Sequence, residues 1–277
     1  MNYTFLGKKT LVALCLFLIF PIVIMSILAF FSADPLNGKT SLSLSGFREL
    51  LTLLRVNELL KISGRAMIVC LSATTISFLI SYALILYTSK TFQSIFFILI
   101  TLPFLANESV RVFSWQYVLS ENGLFNQVLS ILLRHQVTLF NGSNSLNVYL
   151  VMILTCVPFG IFINSASLQT IPGIYWKASN DLNINSFGKF YKVALPLSKF
   201  AILASIIVIF FISFSLSGEV NFLGGDSKIS IRNLVLSLMS ASKFQAIFVL
   251  GFVTVLCLLV LATVYRTFNL KSTKTLK

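Results

Sequence analysis

Ionisable side chains that could do chemistry are few in this 277-residue chain, and three of them stand out. Glu108 and Arg111 lie within or at the end of an apolar stretch, and Glu219 directly follows another. Ionisable groups at such places are costly and usually face a cavity or a partner. Because Glu108 and Arg111 are three residues apart on one helical face, we expect them to pair. The alternative is that Glu108 faces a cavity.

Metal and nucleotide chemistry finds little support in the sequence. His135 is the only histidine, and no CxxC pair occurs. Each cysteine falls inside an apolar run, which predicts small buried residues instead of a disulfide frame or a metal site: Cys15, Cys70, Cys156 and Cys257. No Walker A stretch or Gly-rich phosphate loop is present. We therefore expect no cofactor, no metal site and no catalysis in this chain, and any nucleotide must bind to another chain.

Composition indicates an integral membrane protein. Hydrophobic residues make up 57% of the chain and charged residues 10%, whereas soluble proteins carry roughly 25% charged residues. The net charge of +13 could suggest nucleic-acid binding. Lys and Arg also collect in the loops of membrane proteins, where they set orientation, and no soluble domain is present to carry a basic patch. Nucleic acid is therefore excluded as an expected partner, and membrane lipid is expected.

Long apolar runs predict an all-α protein with a six-helix transmembrane bundle, because a bilayer core needs about 20 apolar residues per helix. We expect a transmembrane domain at 11–266 between tails at 1–10 and 267–277. The first run exceeds the apolar core of a signal peptide and is interpreted as a retained helix. The predicted spans are 11–31, 66–87, 92–113, 146–168, 200–217 and 244–265.

Positive charge predicts the orientation. With both termini inside, the inner segments hold eleven Lys or Arg in 57 positions, and the outer segments hold nine in 92. Because positive residues concentrate on the cytoplasmic side, we expect both termini to be cytoplasmic. This places the polar loop at 169–199 in the cytoplasm.

The polar loop resembles a known motif. The segment LQTIPGIYWKASNDLNINSFGKFYKVALPL (168–197) is similar to the cytoplasmic EAA loop of ABC-importer permease subunits, of the form I-P-x-x-x-x-E-A-A-x-x-L-G. Ile171, Pro172 and Ala178 match its opening, and the pair Asp181–Leu182 matches a frequent D-L. The resemblance implies a type I importer permease whose loop is a coupling helix that docks into a separate ATPase subunit. The implied coupling residues are Lys177, Ala178, Ser179, Asp181, Leu182 and Asn183.

Three positions depart from the motif. Lys177 replaces the usual Glu, Ser179 replaces the second Ala, and Asn183 replaces the Gly. The Gly permits a left-handed backbone, and Asn tolerates that conformation best among the other residues. We therefore expect the turn at Asn183 to survive. Lys177 reverses a charge, for which a matching acid on the ATPase is one explanation and decay of function is the alternative.

Two further segments narrow the resemblance. RVFSWQYVLSENGLFN (Arg111–Asn126) and SLSGEVNFLGG (Ser215–Gly225) resemble outer segments of spermidine/putrescine permeases. The resemblance implies a polyamine importer in a bacterial inner membrane, with a second permease, ATPase subunits that bind ATP and Mg²⁺, and an extracytoplasmic binding protein. Another small solute such as iron or thiamine, or a self-sufficient secondary transporter or channel, are the alternatives.

A polycationic solute gives the outer residues a possible role. Glu108, Arg111, Trp115 and Glu219 could line the substrate path or contact the binding protein. Aromatic rings hold ammonium groups by cation–π contact, although we favour an ordinary interfacial aromatic belt for Trp115. Glu219 stands where the similar segment of the spermidine/putrescine permeases carries an Asp. It could meet a cationic solute or the binding protein, or it could equally be a solvated interfacial carboxylate.

Overall fold

The computed structural model describes residues 16–17, 19–33, 40–135, 145–224 and 229–275. The chain divides into two compact units. One combines Met1–Leu59 with Asn233–Thr267, and the other combines Leu60–Arg232 with Phe268–Lys277.

The first unit is helical except for one small ribbon. Strands β1 (Phe31–Ala33) and β2 (Thr40–Leu42) pair antiparallel, with Phe31 opposite Leu42. The all-α prediction missed this ribbon, because three-residue strands leave no periodic signal in a sequence. The helices of this unit are α1 (Ile19–Leu28), α2 (Ser45–Leu50), the start of α3 (Leu53–Tyr87), most of α13 (Ile231–Ser240), and α14 (Phe244–Thr275) as far as Thr267.

A single glutamine ties the ribbon and α2 to the start of α14. The Gln245 Nε2 atom donates to the Ala29 carbonyl at 3.2 Å and to the Ser43 carbonyl at 2.6 Å. Its Oε1 atom accepts from the Ser45 hydroxyl at 2.6 Å and from the Gly46 N–H at 3.1 Å. Both groups of the amide are thus satisfied. We call these five residues the Gln245 junction.

The second unit contains most of the remaining helices. They are α3 from Leu60 onward, α4 (Lys90–Leu105), α5 (Glu108–Val118), α6 (Leu124–Leu133), α7 (Ser145–Thr170), α8 (Gly173–Asp181), α9 (Ser186–Lys189), a π-helical turn (Phe190–Ala194), α10 (Leu195–Leu197), α11 (Lys199–Ser215) and α12 (Gly218–Leu223).

Five segments of the described chain are candidate membrane spans. Three are single helices: Leu54–Tyr87, Ser145–Thr170 and Phe244–Phe268. Two are broken pairs, α4 with α5, bent by 100°, and α9–α10 with α11, bent by 71°. Residues 11–15 and 18 of the predicted first span, 11–31, lie outside the described residues, and the described part contains α1. The second span is longer than predicted, since α3 already begins at Leu53.

The break between α4 and α5 corrects the predicted third span at 92–113. Ala106 and Asn107 have extended ψ angles of 144° and 145°, which end α4 at Leu105. The Asn107 side chain then caps α5 by accepting from the Ser109 N–H at 2.9 Å, as helix N-caps do. Glu108 and Arg111 therefore begin a new helix and do not end the apolar one.

Helices α3 and α7 approach closely around a buried polar contact. The Asn164 Nδ2 atom donates to the Ser77 hydroxyl at 3.1 Å, and the Ser81 hydroxyl donates to the Ile161 carbonyl at 3.2 Å. A Cβ on Gly160 would overlap Ser77. Small residues and interhelical hydrogen bonds are the usual means of packing helices in a membrane. The α3–α7 contact thus forms a close-packed frame of the second unit.

Candidate functional site

The charged residues singled out in the sequence meet where two broken spans end. Arg111 on α5 reaches Glu219 on α12, with 3.8 Å between Nη2 and Oε1. Glu219 has no exposed surface, and its Oε1 lies 3.5 Å from the Thr155 hydroxyl on α7. The guanidinium also lies 5.7 Å from the centre of the Phe104 ring. Glu219 is therefore a buried partner of Arg111 and not a solvated carboxylate.

Glu108 contacts the first residue of the same short helix. It is exposed, and its Oε1 accepts from the Gly218 N–H at 3.1 Å. A Cβ on Gly218 would lie 2.5 Å from that oxygen, so the contact depends on glycine. The expected pairing of Glu108 with Arg111 was wrong, because the bend turns α5 toward α12 and offers Arg111 a different carboxylate.

We call Glu108, Arg111, Thr155, Gly218 and Glu219 the break-point cluster. Two of its buried polar atoms, Arg111 Nε and Glu219 Oε2, have no hydrogen-bond partner among the residues that the structure describes. Sequence reasoning missed Thr155 and Gly218. The glycine stands directly before Glu219 in the segment that resembles the spermidine/putrescine permeases, so its position was a usable signal. Thr155 carried none, since it lies in an uninterrupted apolar run.

Trp115 lies on α5, and its side chain is not exposed. Its ring is partly buried and packs against the buried apolar cluster of this unit, whereas Tyr117 is 71% exposed. The packing gives Trp115 a structural explanation.

The polar loop forms a helix with a defined end. Helix α8 spans Gly173–Asp181, and Asn183 follows with a φ of 53°. The Ile184 N–H donates to the Ser179 carbonyl at 3.0 Å and the Asn183 N–H to the Asn180 carbonyl at 2.9 Å. These two bonds are the Schellman arrangement that ends many helices. The expected left-handed turn at Asn183 is confirmed.

Most of the predicted coupling residues point away from the unit. Lys177, Ala178, Asp181 and Leu182 are exposed, Leu182 by 73%. Ser179 is buried, and its hydroxyl donates to the Trp176 carbonyl at 2.7 Å. The described residues on α8 and its turn therefore form an outward surface, whereas Ser179 is buried. Exposed apolar side chains extend this surface: Ile174, Tyr175, Phe187 and Tyr191.

An aromatic cluster fixes the loop to α3. The Tyr82 hydroxyl donates to the Ser186 carbonyl at 2.9 Å. The Phe190 ring lies 5.2 Å from the Tyr82 ring and 5.5 Å from the Phe78 ring. Such edge and tilted contacts between rings add to the burial they provide. A force on the loop would thus be transmitted directly to a membrane-spanning helix.

The described ranges contain no group of three or more His, Cys, Asp or Glu that could hold a metal ion. What the site offers instead is a charge cluster around the buried Glu219 and an outward-facing helix attached to α3.

Comparison with known proteins decides the family. The family model described as "binding-protein-dependent transport system inner membrane component" matches residues 73–271. The chain belongs to this family. It is a permease subunit of an ABC importer and a multi-pass inner-membrane protein, as the loop motif predicted, and its family is one of transport components instead of enzymes.

Two relatives refine this membership. The permease is 26% identical over 223 residues to the spermidine/putrescine transport system permease protein PotB of Haemophilus influenzae, covering 78% of this chain and 74% of that protein. It is 27% identical over 168 residues to the inner membrane ABC transporter permease protein YdcU of Escherichia coli, covering 57% and 54%. The resemblance to spermidine/putrescine permeases is confirmed.

Solved structures confirm the predicted fold. A bacterial ABC transporter involved in the import of the acidic polysaccharide alginate has a chain that matches with a TM-score of 0.68 at 15% identity, covering 96% of this permease and 95% of that chain. The alginate transporter in complex with a periplasmic protein that carries alginate pentasaccharide gives 0.69 at 14% identity, covering 98% and 95%. At these identities the likeness concerns the fold alone.

Proposed function

We propose that this permease moves polyamines such as spermidine and putrescine inward across the inner membrane, with both termini in the cytoplasm. The observation that carries the proposal is the match to the spermidine/putrescine permease over 78% of the chain. The fold itself does not identify the solute, because a transporter of an acidic polysaccharide has a similar fold. One fold can serve many functions.

Charge at the break-point cluster supports a cationic solute. Its two carboxylates and one guanidinium sum to a net negative charge, and Arg111 already faces Glu219 at 3.8 Å. The excess negative charge therefore belongs to Glu108, which is exposed on this chain. A carboxylate facing lipid would be costly. Glu108 accordingly faces a water-filled path or a second permease, and a carboxylate on that path would attract ammonium groups.

The outward surface of α8 supports docking to an ATPase. A solvated loop would present polar side chains, but Leu182 is 73% exposed and Ile174 is 71% exposed. Exposed apolar groups of this kind mark interaction sites. ATP and Mg²⁺ would bind to the ATPase subunits, and Tyr82 and Phe190 would pass the motion to α3.

Further partners complete the proposed importer. A second permease would cover apolar faces of this chain, and an extracytoplasmic binding protein would deliver the solute, as the structure of the related alginate transporter includes a periplasmic protein. ATP binding would favour one arrangement of the helices and ATP hydrolysis the other. The importer alternates because its ligands bind the two states unequally.

Uptake into vesicles that contain the reconstituted importer tests the solute. We expect spermidine or putrescine to be taken up, and iron chelates and thiamine to be neither transported nor competitive. Replacing Glu108→Gln should lower polyamine uptake about tenfold, equivalent to about 1.4 kcal/mol, while Glu121→Gln, at another exposed carboxylate, leaves it unchanged. Uptake of thiamine or iron in place of polyamine would refute the assignment.

A charge on α8 tests the docking. Ala178→Glu adds an acid to the outward surface and should reduce uptake at least tenfold while ATP hydrolysis continues, because the two activities become uncoupled. The matched control is Thr170→Glu, which adds the same charge at an exposed position at the end of α7, outside α8. Normal uptake by the Ala178 variant would count against docking at this surface.

A further inference from the structure

A cavity of about 410 Å³ lies at the base of the polar loop. It is lined by residues at the end of α3, the start of α4 and the end of α7, and by the helices α8 and α9. Helices α3 and α4 are consecutive membrane elements joined by a tight turn, so the cavity lies at a membrane surface whichever way the chain is oriented. Its lining residues are Ile85, Leu86, Tyr87, Lys90, Leu168, Gln169, Ile171, Trp176, Asn180 and Lys189.

The lining is amphiphilic. Leu168 and Ile171 are buried, at 1% and 9% exposure, and with the half-buried Ile85 and Leu86 they give the cavity an apolar floor. The remaining lining residues are polar, basic or aromatic. A free phosphate ion would gain nothing from the apolar floor, whereas an acyl chain attached to a phosphate would fill it.

Two lysines supply positive charge without matching acids. The Lys189 Nζ atom donates to the Asn180 Oδ1 at 2.5 Å, and the Lys90 Nζ atom donates to the Gln93 Oε1 at 3.4 Å. Neither lysine belongs to any ion pair in the part of the chain that the structure describes. Each ammonium group has three donors, so both keep donors for a ligand.

We propose that this cavity binds the phosphate and upper acyl chain of an anionic phospholipid. Basic pockets between membrane helices recognise such headgroups, and Tyr87 and Trp176 are the aromatic types that prefer the membrane interface. The bound lipid would sit under α8 and brace the outward surface against α3 and α7. The site itself does not depend on the identity of the solute or on the proposed orientation.

Native mass spectrometry of the importer complex tests the proposal. The complex is incorporated into vesicles of equimolar phosphatidylglycerol and phosphatidylcholine, released in mild detergent, and weighed with its retained lipids. We expect phosphatidylglycerol to be retained in preference. The double variant Lys90→Gln/Lys189→Gln should weaken this retention roughly 25-fold, at about fivefold per lysine. Lys90→Arg/Lys189→Arg should restore it and so exclude loss of folding as the cause.

Other outcomes would overturn the proposal. Lys192→Gln removes an exposed lysine of the same loop that does not line the cavity, and an equal loss there would indicate diffuse surface attraction. If the importer from pure phosphatidylcholine vesicles retains inorganic phosphate, and the two lysines are needed for that retention, the site would be assigned to a free anion. Loss of the ATPase subunits from the double variant, with lipid retention unchanged, would assign the lysines to a protein contact. None of these readouts requires transport, so a failed polyamine assay leaves the test valid.

Discussion

The Gln245 junction and the break-point cluster solve the same problem in opposite ways. Each brings polar groups from several segments together inside its own unit. At the junction a neutral amide makes two donor and two acceptor contacts, so nothing is left unpaired on it. In the cluster the charged pair is 3.8 Å apart, and within the described part of the chain Arg111 Nε and Glu219 Oε2 have no hydrogen-bond partner.

This difference teaches which of the two can rearrange. A saturated amide fixes one geometry, because any movement breaks bonds that nothing replaces. A buried charge cluster with spare donor and acceptor atoms is expensive, but it can exchange partners when helices move. We interpret the junction as the contact with one fixed geometry and the cluster as the contact that can exchange partners.

The largest effect is expected from the cluster. Glu219→Gln leaves the Arg111 guanidinium buried without its counter-charge, which should lower the free energy of unfolding by about 3 kcal/mol. Unfolding in detergent, followed by circular dichroism, measures the change. The double variant Arg111→Met/Glu219→Gln should recover most of the loss. If the single and double variants are equally unstable, the two residues are not energetically paired.

Gln245→Ala tests how much the Gln245 junction contributes to stability. It removes four hydrogen bonds and leaves the Gly46 N–H and two carbonyls without their partner, so we expect a loss of about 2 kcal/mol in the same measurement. The matched control is Gln127→Ala, since the side chain of that exposed glutamine donates one hydrogen bond within the described residues, to the Asn122 carbonyl. A junction variant no less stable than this control would show that the amide is dispensable.

Replacing Gly46 should give the smallest of the three losses in the free energy of unfolding. A Cβ there would lie 3.0 Å from the Gln245 carbonyl carbon and 3.1 Å from the Ala246 nitrogen. Because backbone atoms yield little, Gly46→Ala should cost about 1 kcal/mol. Gly64→Ala meets nothing within 4 Å and lies within α3, so it should be neutral or slightly stabilising. Equal stability of the two variants would show that the junction is loosely packed.

Sequence reasoning succeeded where a local rule governs the residue. The conformation at Asn183 follows from the intrinsic tolerance of asparagine for left-handed backbone, and the apolar spans follow from the thickness of a bilayer. It failed where a partner is distant in the chain. Glu108 and Arg111 are neighbours on a helix face, but the bend at Ala106 and Asn107 brings Glu219 to Arg111 instead. The role of Gln245 could not be predicted either, since its four hydrogen-bond partners lie about 200 residues away in the chain.

The π-helical turn at Phe190–Ala194 makes the loop unusually sensitive to chain length. A π turn holds one residue more than an α turn, and each α-helical residue advances the chain by about a hundred degrees. Deleting a single residue there would allow an unbroken α-helix. It would also rotate the residues on the N-terminal side of the deletion about the helix axis, and the ring of Phe190 would turn away from Tyr82. A shorter chain could thus keep every membrane helix and still lose the aromatic contact that attaches the polar loop to α3.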